Sequence, residues 1–116
     1  MKIIDMHVHM VGNAVSRNGC WVRVTGFKAP LYSLMLRKLE LRYSHLQSPD
    51  FDDLFRDRLL GFIRDSKIDA VCLLAQEAVY REDGSLWSDA GNAFVPNEYV
   101  FQLARDHEEF IPAVSI

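Results

Sequence analysis

The alternation of apolar and polar residues is strictest near the start of the chain. Ile4, Met6, Val8 and Met10 fall on one side and Asp5, His7 and His9 on the other, which is the two-residue period of a strand. Strand 1 is therefore expected over about 3–10. The stretch from Val11 to Pro30 has no clear period and carries turn signals at Gly12-Asn13, Asn18-Gly19 and Gly26, with a short strand-like piece at Trp21 to Val24. Leu31, Leu34, Met35, Leu39 and Leu46 then recur near helical spacing, so a helix is expected from Leu31 to Leu46. Together these residues form an insertion over about 11–47.

The next helix has clearer boundaries. Ser48 suits the N-cap, Pro49 the first helical position, and Asp50, Asp52 and Asp53 the positive end of the helix dipole. An apolar stripe of Phe51, Leu54, Phe55, Leu59, Phe62 and Ile63 carries the helix over about 49–66. Ile68 to Ala75 is a continuous apolar run, expected as strand 2 and buried on both faces in the manner of a parallel sheet. Asp83-Gly84 marks a hairpin. Asn97 is the expected cap of a helix over about 97–107 with Val100, Phe101 and Ala104 inward, and strand 3 is expected over about 110–116. Strands alternating with helices imply an α/β fold built from parallel β/α units, about three here.

Composition narrows the function classes. The chain has 116 residues, 13 basic and 16 acidic, for a net charge of −3. Neither nucleic acid nor an anionic membrane is an expected partner at that balance. The longest apolar run, Ala70 to Ala75, falls well short of the roughly 20 residues that span a bilayer. Asp5 and His7 interrupt any secretory apolar core near the start. Two cysteines, Cys20 and Cys72, are too few for a disulfide framework, so a cytoplasmic setting is the expectation.

The chemistry concentrates at His7 and His9. Two histidines two apart on a strand project from one side, and neutral imidazole is a common ligand for zinc and similar cations. At the C-terminal end of a parallel strand they would stand at the mouth of a barrel, where (β/α)8 enzymes keep their sites. Asp5, one step deeper on the expected face, is the candidate to orient a ligating imidazole. The plainer reading is an edge strand whose polar face is wet. Gln76 and Glu77, just past strand 2, are candidate pocket residues at the same mouth, against an ordinary solvated loop. His45 reads as a surface residue, His107 as a helix C-cap, Cys72 as core, and Cys20 as packing or pocket lining.

Beyond these residues the chain resembles a known family. IIDMHVHM looks like the first strand of the metal-dependent amidohydrolase superfamily, and DAVCLLAQE, VPNEYVFQLARDHEEF and IPAVSI look like its second strand, second helix and third strand. The pattern is most similar to the amidohydrolase-related (amidohydrolase 2) branch, which includes hydrolases and decarboxylases. The resemblance implies the N-terminal part of a (β/α)8 TIM-type barrel with a helical insertion after strand 1. It implies a divalent metal, zinc by preference, held partly by His7 and His9, and a small-molecule substrate with homo-oligomerisation open. The family's other ligands and its catalytic aspartate come from later strands, so no catalytic base is carried onto this chain and the 116 residues alone are expected to be inactive.

Trp21, Arg23, Tyr32, Arg37, Arg42 and Tyr80 are all open as substrate contacts or as surface residues. A complete barrel needs roughly 250 residues, so these 116 residues are expected to be a portion of one. Two other readings stand beside this one. One is a non-catalytic chain or small α/β binding or oligomerisation module. The other is a histidinol-phosphatase-like or TatD-like metal-dependent phosphoesterase, disfavoured by Met10-Val11-Gly12-Asn13 after His9 and by the long insertion.

Overall fold

A computed structural model describes residues 1–24, 29–87 and 90–115. Three parallel strands form its centre: β1 (Ile4–His9), β3 (Ala70–Leu74) and β5 (Phe110–Ala113), in the order β1-β3-β5. A two-stranded antiparallel ribbon, β2 (Trp21–Val22) with β4 (Ala93–Phe94), lies beside them. The helices are α1 (Ala29–Lys38), a 3₁₀ turn at Tyr43–Gln47, α2 (Phe51–Asp65) and α3 (Asn97–Asp106). The parallel strands connected through α2 and α3 were the expected arrangement, and the ribbon realises the strand-like piece at Trp21. The fold is mixed α/β, and the three-stranded sheet is open rather than closed among the described residues.

One face of that sheet is packed. Val71, Leu73 and Phe110 form a single core with Phe51, Phe55, Leu60 and Ile63 of α2 and Val100 and Leu103 of α3. Each such side chain taken out of water contributes about 1.5–3 kcal/mol. The other face is largely bare: Met6 is 70% exposed, and Ile4 and Ile111 are also exposed. The continuous apolar run in β3 had implied cover on both faces, and among the described residues helices cover one. Cys72, expected in the core, is half-buried on the bare face, its Sγ 3.7 Å from Met6 Sδ.

Several boundaries depart from the periodicity. The helix expected over Leu31–Leu46 breaks after Lys38. Glu40 turns left-handed (φ 58°) and Leu41 N–H closes on Leu36 O at 2.8 Å, a helix-ending geometry that brings Leu41 into the core. Ser48 does not cap α2. Its hydroxyl accepts from Asp50 N–H at 3.2 Å in a local turn, and Asp50 is the cap residue. The buried stripe of α2 takes Leu60, while Phe62 turns outward. In α3 the buried residues are Tyr99, Val100 and Leu103, and Phe101 is exposed, because one residue further along a helix rotates the side chain by about 100°. Asn97 is the first helical residue, not the cap, and its amide instead holds Ser115 through Nδ2–H to Ser115 O at 2.7 Å. Ile116, at the end of the expected third strand, lies outside the described residues. The Asp83-Gly84 hairpin is present, with Gly84 at φ +85° and Tyr80 bridged to Leu86.

Candidate metal-ligand pair at the end of strand β1

The sequence repeat in β1 is interrupted by its pairing. Asp5 stands opposite Val71 and Val8 opposite Leu73, so Met6 and His7 together face the single position of Cys72. This is a bulge, and it shifts the phase of alternation by one. Paired residues in a parallel ladder share a face. Asp5 and Val8 therefore fall on the helix-covered side with Val71 and Leu73, while His9 falls with Leu74 on the bare side. The expected common face of Asp5, His7 and His9 is thus divided.

The two histidines still meet. His7 Nε2 and His9 Nε2 are 3.0 Å apart, with the rings edge to face at a centroid distance of 4.8 Å. Both are exposed, at the C-terminal end of the strand. Two nitrogens bound to one zinc at about 2.0–2.1 Å in tetrahedral geometry lie roughly 3.4 Å apart, so the pair needs to open by only a few tenths of an ångström. Without a cation, the same contact is a hydrogen bond in which one ring nitrogen donates and the other accepts.

Asp5 supports the pair through the main chain. Its Oδ1 accepts from His7 N–H at 3.0 Å, so the carboxylate braces the bulge where orientation of an imidazole ring was expected. Gln76 and Glu77 do share a recess, of about 190 Å³, with Asn97, Glu98 and Ser115 past the ends of β3 and β5. Among the described residues, however, no group of three or more His, Cys, Asp or Glu side chains is placed to hold a metal, so Glu77 does not complete a site with His7 and His9. His45 Nδ1 accepts from Arg42 N–H at 2.9 Å, a local cap of the 3₁₀ turn. His107 is the C-cap of α3, as expected, with its ring edge-on to Phe110. Of the open substrate candidates, Arg23 stacks over Trp21 at 5.5 Å, and both line a cavity of about 410 Å³ with Tyr80, Trp87 and Phe94.

A second cluster carries no motif in the sequence. Asp52, a dipole partner of α2 by its place in the chain, is fully buried. Its Oδ1 accepts from Asn13 N–H at 2.7 Å and its Oδ2 from Asn18 Nδ2–H at 2.9 Å. Asn13, also buried, donates from Nδ2 to Leu46 O at 2.8 Å and Ser48 O at 2.7 Å. Burial pushes the Asp52 carboxyl above the usual range, against the hydrogen bonds from Asn18, Asn13 and Ser16 that pull it down. Cys20 packs here, its thiol pushed up to about 12 by burial and by the Asp52 charge. Tyr99 is raised too, chiefly by burial, and its hydroxyl has no hydrogen-bond partner among the described residues. Gly12 is required by contact: a Cβ there would lie 2.6 Å from Cys20 and 2.9 Å from Asp52 Oδ1. Nothing in the local sequence sets Asp52 apart from Asp50 and Asp53 at the same helix start.

Comparison of the chain with family models, with curated proteins and with solved structures finds no match. No helix among the described residues is long and apolar enough to cross a membrane.

Proposed function

We propose that this chain supplies two imidazole ligands of a divalent metal centre in a metal-dependent hydrolase or decarboxylase of the amidohydrolase type. The observation that carries the reading is the approach of His7 Nε2 to His9 Nε2, 3.0 Å, at the C-terminal end of a parallel strand. Zinc is the preferred ion because both donors are imidazole nitrogens. When bound, the metal supplies Lewis acidity toward water and toward the carbonyl of a small-molecule substrate. His7 and His9 hold it, Asp5 fixes the backbone that spaces them, and Gln76 and Glu77 offer polar contacts at the neighbouring strand end. Two donors are too few for such a centre, so further ligands and the proton-handling group come from outside the described residues. A bare apolar sheet face beside the histidines suits the interior of a (β/α)8 barrel, of which these strands would be the first three.

Zinc binding to the full-length protein, which supplies the further ligands, measured by equilibrium dialysis, tests this. His7→Ala and His9→Ala are each expected to lose the bound zinc while keeping the unfolding midpoint of the metal-free wild type. Unchanged zinc content in both variants sinks the reading. A second reading, a non-catalytic module that associates through its sheet, is favoured by the exposure of Met6, Ile4 and Ile111. It predicts self-association without stoichiometric zinc, seen by sedimentation.

A further inference from the structure

The two histidine rings touch each other and are exposed, so packing does not hold them in place. Their spacing must be set by the backbone on either side. Upstream, Asp5 braces the bulge through His7 N–H. Downstream, the chain is clamped residue by residue. Met10 is fully buried and its N–H donates to Leu74 O at 3.3 Å; Val11 is buried; Gly12 lies against Cys20 and Asp52; Asn13 N–H ends on Asp52 Oδ1. Asn13 then ties the same point to Leu46 and Ser48, ahead of α2.

We propose that the Asn13–Asp52 latch is a positioning device for the histidine pair, with Asp52 holding the backbone that leaves His9 so that the two imidazoles stay within a metal's reach. This rests on the metal-ligand reading above. A buried carboxylate that accepts two hydrogen bonds from one loop holds that loop firmly, because removing the acceptor leaves buried donors unpaired. Supporting groups of metal ligands typically change affinity by about 10–100-fold when lost.

The test uses Asp52→Ala, which removes both acceptor oxygens, with the neighbouring exposed Asp53→Asn as control. Three quantities are measured on the full-length protein: zinc affinity by competition with a chromophoric chelator, amide hydrogen exchange at Met10 and Asn13, and the NMR cross-peaks between the His7 and His9 rings. Asp52→Ala is expected to weaken zinc binding about tenfold or more, to speed exchange at both amides and to weaken the ring cross-peaks. Asp53→Asn is expected to leave all three unchanged. Should Asp52→Ala fail to fold, Asn13→Ser, which keeps the N–H to Asp52 and cuts the side-chain ties to Leu46 and Ser48, is expected to weaken zinc binding and the ring cross-peaks. A folded variant with zinc affinity within twofold of wild type, or Asp52→Ala with unchanged exchange at Asn13, overturns the latch. If the full-length wild-type protein binds no zinc, the metal reading fails by itself, and the latch stands or falls on the ring cross-peaks: retained in Asp52→Ala, they refute it.

Discussion

The two faces of the parallel sheet are made from similar residues and live in different surroundings. On one, Val71, Leu73 and Phe110 are sealed under α2 and α3. On the other, Ile4, Met6 and Ile111 face outward beside half-buried Cys72. Hydrophobicity of the strand is therefore a poor guide to what each position does. The covered face carries the stability of the chain, and the bare face carries the histidine pair and whatever chemistry goes with it. The bulge at Met6-His7 is what joins them, because it lets β1 keep Val8 in the core while His9 leaves by the other side.

The sharpest way to break this contrast is Leu73→Ala. Leu73 is fully buried, and its truncation is expected to cost about 2–5 kcal/mol, read as a lower urea midpoint. A loss under about 1 kcal/mol would mean that the covered face is not the core.

Next in size is Asp52, fully buried in the first turn of α2. Asp52→Ala is expected to cost about 1–3 kcal/mol by leaving Asn13 N–H and Asn18 Nδ2 without an acceptor. Its pH dependence has a defined sign. The folded-state pKa is raised above the usual 3.8, so the folded state binds this proton more tightly than the unfolded state. The contribution is fully present below 3.8 and is lost as pH rises through the elevated folded value. Wild type should therefore gain stability relative to Asp52→Asn as pH falls through that window. A gap between the two proteins that is flat with pH would show that Asp52 titrates normally.

Smallest is Met6→Ser on the bare face. With Met6 70% exposed, the cost is expected to stay within about 0.5 kcal/mol. A larger loss, dependent on protein concentration, would show that something covers this face in solution.

Much of this organisation was legible in the chain. The apolar run of β3, the stripe of α2, the turn at Asp83-Gly84 and the pairing of His7 with His9 all follow from local spacing. The mistakes have common causes. Periodicity carried one helix through Leu39-Glu40, because a left-handed residue and a Leu41-to-Leu36 hydrogen bond leave no mark on an apolar count. Alternation placed Asp5 on the histidine face, because a bulge is defined by the partner strand and not by the strand that contains it. Helix-start spacing makes Asp52 a partner of the α2 dipole, and only the loop from Gly12 to Asn18 folding over it makes it a buried acceptor.

By itself the sequence determined the three parallel strands, helices α2 and α3 and their order, and it put two imidazoles on one strand end, because these depend on residues within a few positions of each other. Only the tertiary structure decided which sheet face is covered, where the strand changes phase and which carboxylate is buried. Each of those depends on a partner far along the chain: Cys72 for the bulge at Met6, Asn13 for Asp52, and α2 and α3 for the sheet. Solvent exclusion turns such distant pairings into energy, and a period read along one segment contains no record of it.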